Sequence, residues 1–151
     1  MKLSICTDVM ADLSFTEMLD KCVALGVEGI EMTGGGWSPA PHFRADELLA
    51  DRSLLASRLK EIDARGLEIA ALNCSGNPLD PGELGERHRG EIEQTIRLAG
   101  EIGVKRIVTM SGLPAAAPGE VPGRRAARAG PPRGRRPSAR PLRAGHRRRR
   151  L

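Results

Sequence analysis

VEGIEMTGGGWSPAPHF, residues 27–43, decides how this chain folds. VEGIEM (27–32) is a short apolar run in which Ile30 and Met32 alternate with Glu31, the period-2 pattern of a strand. Three glycines, a tryptophan and two prolines follow, a composition that breaks both regular periods and reads as a loop. Helical spacing begins only at Ala45. The stretch is therefore a strand that ends in a long, chemically rich loop and leads into a helix.

The same order is repeated on either side. KLSICT (2–7) is a strand, and in SFTEMLDKCVALG (14–26) Ser14 and Glu17 form a capping-box pattern ahead of Phe15, Met18, Leu19, Cys22 and Val23 at helical spacing. Gly26 is placed to end that helix with positive φ. ADELLADRSLLASRLKEIDARG (45–66) is helical in one or two pieces, with Gly66 as terminator, and LEIAALN (67–73) is a third strand. ELGERHRGEIEQTIRLAGEIG (83–103) is helical through Ile92, Ile96, Leu98 and Ile102, and VKRIVTM (104–110) is a fourth strand. With Ile5, Ile30, Ala70 and Val108 as strand centres the spacings are 25, 40 and 38 residues, which suits right-handed crossovers into a parallel sheet.

Periodicity leaves an open doubly wound sheet and a closed (β/α)8 barrel both available. The loops after strands two and three are long and polar while the turns after the helices are short, the asymmetry of a barrel whose site is built after its strands. A dinucleotide fold would place GxGxxG after the first strand, where CTDVMADLS has no glycine.

The formal net charge of +5 hides two segments. Residues 121–151 carry 12 of the 24 basic and none of the 19 acidic side chains, so that segment is +12 and residues 1–120 are −7. A basic nucleic-acid footprint is confined to the tail. Cys6, Cys22 and Cys74 form no CxxC, which speaks against a disulfide framework or zinc ribbon. The N-terminus lacks the apolar run of a signal peptide and no stretch reaches the ~18 apolar residues of a membrane span, so the expectation is a cytoplasmic protein without membrane contact.

Several loop residues could carry chemistry. Alternation turns Glu31 away from the face of Ile30 and Met32, toward the interior of a barrel; it is a functional carboxylate or half of an internal salt bridge. Trp37, the single tryptophan, could stack on a sugar face or pack under its loop. His42 has a proton-transfer or metal reading beside a structural one. In NCSGNPLDP (73–81), Asn73, Ser75 and Asn77 offer polyol-binding donors and acceptors, although the same residues make a sound turn. Cys74 has no basic partner to make it a nucleophile. His88, in GERHRGE, reads as a solvated helix face, and Ser111 after strand four suits a hydroxyl or phosphate. HExxH and Walker A motifs are absent.

KLSICT, VEGIEMTGGGWSPAPHF, GLEIAALNCSGNPLDP and GVKRIVTMSGLP, in that order, resemble the N-terminal half of the sugar phosphate isomerase/epimerase family of xylose-isomerase-like TIM barrels, over about residues 1–119. The resemblance implies an α/β fold, a partial (β/α)8 barrel of about four βα units, from an enzyme that moves a proton between adjacent carbons of a sugar or sugar phosphate. It implies substrate-lining roles for Glu31, Trp37, His42, Asn73, Ser75, Asn77 and Ser111. It implies a divalent metal (Mn, Mg, Co or Zn) in the full-length family, held by carboxylates and a histidine from strands five to eight, so that no metal is expected to be held by this chain alone. Catalytic residues are left unassigned. The family's NPLHP is NPLDP here, and Asn73 and Ser111 stand where the DNA-repair relatives carry extra histidines.

Such a barrel takes about 250 residues. Residues 120–151 do not continue the pattern: Arg, Pro, Ala and Gly supply 26 of the last 31 positions, and each of the four has a codon family that begins with two G/C bases, as in a GC-rich gene read in the wrong frame. The expectation is a disordered, frameshifted tail behind a truncated, inactive half barrel, with possible self-association through open sheet edges. The alternative is a βα binding module whose basic arm binds nucleic acid.

Overall fold

A computed structural model of the chain describes residues 2–113. The boundary expected at 119/120 and the basic tail lie outside those residues. Strand β1 (Ser4–Cys6) runs into a 3-10 turn at Thr7–Met10 and then α1 (Phe15–Ala24). Strand β2 (Gly29–Gly36), helices α2 (Ala45–Ala50) and α3 (Arg52–Asp63), β3 (Glu68–Ser75), α4 (Glu83–Ile102) and β4 (Ile107–Thr109) follow.

The local signals act as their chemistry requires. Ser14 and Glu17 form the reciprocal capping box of α1, and Gly26, Gly66 and Gly103 end helices at φ between +68° and +75°. The helical stretch 45–66 divides at Asp51, whose extended backbone ends α2 and whose carboxylate accepts from Leu54 N at 2.9 Å to start α3.

The four strands are parallel and lie in the order β1-β2-β3-β4. Each pairs with its successor in the chain with no reversal, whereas a doubly wound sheet reverses at its switch point. Among the described residues the architecture is a partial (β/α)8 barrel, three βα units followed by the fourth strand. Ile30, Met32 and Leu72 point from the sheet into the helix layer, where Met18, Leu19, Phe43, Leu48 and Leu98 complete a fully buried core. Burying each such side chain contributes about 1.5–3 kcal/mol.

The end of β2 corrects the sequence reading. Gly34–Gly36 are strand, not loop, and the reason lies on α4. A Cβ at Gly34 would sit 2.7 Å from Thr95 Oγ1, one at Gly35 3.2 Å from the Glu91 side chain, and one at Gly76 2.8 Å from the His88 ring. The spacing of His88, Glu91 and Thr95 puts them on one helical face, so each glycine is the recess for one polar side chain of α4. Glu91 Oε2 also accepts from Gly36 N at 2.8 Å, pinning the strand end to the helix. His88 is thus fully buried, not on a solvated face.

Candidate functional site

Two groups of polar residues lie on the sheet and at its C-terminal end. The first is on the face opposite the core. Cys6 and Glu31 are register partners, level with the end of β1, and both are half-buried. Glu31 Oε1 accepts from Asn73 Nδ2 at 2.7 Å, and Asn73 Oδ1 accepts from Ser75 N at 2.9 Å. Because Glu31 pairs in register with Ala71 and Thr33 with Asn73, the carboxylate reaches along the sheet to the amide. One carboxamide therefore orients an inner-face carboxylate and shapes the end of β3, with its O and N fixed by their partners.

The second group walls a cleft of about 450 Å³ between the β2, β3 and β4 loops, lined by Trp37, Gly76, Asn77, Met110, Ser111, Gly112 and Leu113. Trp37 is 56% exposed, donates its backbone N–H to Ser75 O at 2.8 Å, and meets the His88 ring edge-on, centroids 4.6 Å apart at 73°. Asn77 pairs with the backbone of Leu113 in both directions, accepting from its N–H at 2.7 Å and donating to its carbonyl at 3.2 Å. That carboxamide holds the β4 loop against the β3 loop. A cavity of about 510 Å³ at the opposite end of the sheet is lined by Leu59, Ile62, Ile69 and Ile102 among others. In a barrel that end carries stability and the strand C-termini carry the site, so the smaller cleft is the functional candidate.

The seven candidate residues are thus distributed. Trp37, Asn77 and Ser111 line the cleft; Glu31 and Asn73 form the inner-face pair; Ser75 links the two, giving its N–H to Asn73 and its carbonyl to Trp37. His42 is in neither group: buried to 7% exposure, its Nε2 lies 2.8 Å from Leu13 O, so it donates to a carbonyl at the foot of the loop. Among the described residues no three His, Cys, Asp or Glu side chains gather as a metal site. Burial pushes the Cys6, Cys22 and Cys74 thiols up, which keeps all three protonated at neutral pH.

Sequence reasoning missed His88, Met110 and Leu113. A signal for His88 existed in the i, i+3, i+7 row His88-Glu91-Thr95, which matches three recesses, Gly76, Gly35 and Gly34, in number. No local signal marked Met110 and Leu113 as cleft walls, because the clamp that brings them there comes from Asn77.

No protein-family model matches the chain. It is 50% identical over 118 residues to the uncharacterized protein YfiH of Bacillus subtilis (strain 168), a match over 78% of this chain and 38% of YfiH. Among solved structures it is similar to the probable 3-DHS dehydratase AsbF, involved in petrobactin synthesis, from Bacillus anthracis, with 27% identity and a TM-score of 0.51 over 74% of this chain and 39% of that one. The chain spans under two fifths of the length of either protein. Among the described residues no helix is long and apolar enough to cross a membrane. The order of the strands and the likeness to that enzyme agree on one conclusion: residues 2–113 form three βα units and a fourth parallel strand of a (β/α)8 barrel of the xylose-isomerase-like type.

Proposed function

We propose that this chain is the substrate-binding portion of a sugar phosphate isomerase/epimerase-like barrel, which moves a proton between adjacent carbons of a sugar or sugar phosphate. The observation that carries this reading is the cleft at the strand C-termini, whose lining includes both the half-exposed Trp37 and Ser111. An indole face takes the C–H face of a sugar ring, and a hydroxyl beside it bonds the ring's own hydroxyls. Glu31, oriented by Asn73, supplies a carboxylate that accepts from further substrate hydroxyls. The remaining donors of a divalent-metal site would come from outside residues 2–113, and the chain alone is inactive on this reading.

Titration of the 151-residue protein with pentoses, hexoses and their phosphates, followed by Trp37 emission, tests the binding half of the proposal. A saturable change with at least one of them, weakened by Ser111→Val, is expected; no response across the panel overturns the sugar cleft. Exchange of the sugar C2 proton into D2O, tried with Mn2+, Mg2+, Co2+ and Zn2+, tests the rest. No exchange is expected, and exchange at an enzyme-like rate overturns the reading that this chain holds only part of the machinery.

A further inference from the structure

We infer that His88, a helix residue outside the cleft lining, is the positioning residue that fixes all three loops around the cleft. Its Nδ1 accepts from Asn77 N at 2.8 Å. A neutral imidazole has one acceptor nitrogen, so Nε2 carries the proton and the Arg87 guanidinium nitrogen at 3.4 Å, itself a donor, is a neighbour and not a partner. The ring is fully buried and occupies the space a side chain on Gly76 would need.

Each contact of the ring reaches a different loop. The edge-on contact with Trp37 sets the indole that walls the cleft from the β2 side. The bond to Asn77 N fixes the turn after β3. Since the Asn77 carboxamide grips Leu113 N and O, that turn carries the β4 loop with it. The other polar side chains on this face of α4 do not do this: the buried Thr95 Oγ1 donates to Glu91 O on its own helix, and the partly buried Glu91 takes Gly36 N at the strand end. His88 alone among these three contacts two cleft-lining loops directly and a third through Asn77. The role is independent of which ligand the cleft takes.

The test uses the whole chain and no ligand. In His88→Ala, amide exchange at Asn77 and Leu113 should rise by about tenfold or more while the β1–β2 ladder is unchanged, and Trp37 emission should shift to the red. His88→Asn places an amide oxygen near the position of Nδ1. It should restore protection at Asn77 and Leu113 without restoring Trp37 emission, a split that a general loss of packing would not produce. Unchanged exchange and emission in His88→Ala, or a uniform rise over all amides in both variants, overturns the inference. Should His88→Ala not fold, nitrogen-15 NMR of the unaltered protein decides: the Nε2–H tautomer is required, and an Nδ1–H tautomer overturns it.

Discussion

Thr95 Oγ1 lies 2.7 Å from the point where a side chain on Gly34 would begin, and its Cγ2 lies 3.2 Å from the same point. Helix α4 can approach β2 this closely only because residue 34 has no Cβ. Gly34→Ala should cost about 1–3 kcal/mol by overpacking. Thr95→Ala removes the obstacle, so the double variant should be more stable than the sum of the singles predicts, with a coupling of about 1 kcal/mol or more in urea denaturation. Additive effects would show that the two residues do not share the space. Gly36 offers no such rescue, since its φ of +89° and the Ser75 carbonyl against it are both backbone constraints.

The same contact explains which parts of the fold could be read in advance. Ser14-Glu17, Gly26 and Gly103 act within one turn of their own helix, so the sequence next to them specifies what they do. Whether Gly34–Gly36 continue a strand depends on Glu91 and Thr95, more than fifty residues away, and no local pattern contains that information. Glu31 was legible because alternation fixes the face of a strand residue; its partner Asn73 was legible as a polar group but not as that partner. His88 sits in a charged run whose other members are largely solvated, and the recess at Gly76 shows why it is buried.

Asn73 holds Glu31 by a 2.7 Å bond on the inner face of the sheet. Asn73→Ala removes both that donor and the acceptor for Ser75 N, and should lower stability by about 1–3 kcal/mol. Asn73→Asp keeps the acceptor but places a second carboxylate against the first. It should be stabilised by lowering the pH from 7 to 5, whereas Asn73→Ala should not be; equal pH responses in thermal melts would argue against a direct Glu31–Asn73 contact.

The carboxyl of Glu17 is held below the ordinary glutamate value, first by the Ser14 hydroxyl and then by the Ser14 N–H. A depressed folded-state pKa means stability that is fully present above the unfolded value of about 4.3 and is lost as pH falls through the folded value. Glu17→Gln should therefore be less stable than the unaltered protein at pH 6, and the gap should narrow below about pH 4. A gap that stays constant between pH 6 and pH 3 would assign the cap no charge component.

All three thiols are raised by burial, and they differ in access: Cys22 and Cys74 are fully buried while Cys6 is half-buried beside Glu31. Alkylation with iodoacetamide at pH 8 should modify Cys6 first and slowly, with Cys22 and Cys74 reacting only at the rate of opening of the core. Rapid labelling of Cys74 in the native protein would mean that the β3 end is not packed under α4 as described.

Among the described residues β1 pairs only with β2 and β4 only with β3, so each presents an unpaired strand edge. Exposed apolar side chains lie near both edges, Leu3 on one side and Val108 and Met110 on the other, each at least 39% exposed. Unpaired edges with apolar neighbours recruit further strands, and a second copy offers β1 to β4 with the parallel sense the sheet already has. We expect the average mass in light scattering to rise with protein concentration above that of one chain. Val108→Lys places a charge beside the β4 edge and should move the distribution back toward the monomer without lowering the melting temperature by more than a few degrees. A monodisperse monomer at all concentrations in the unaltered protein would show that these edges are covered within a single chain.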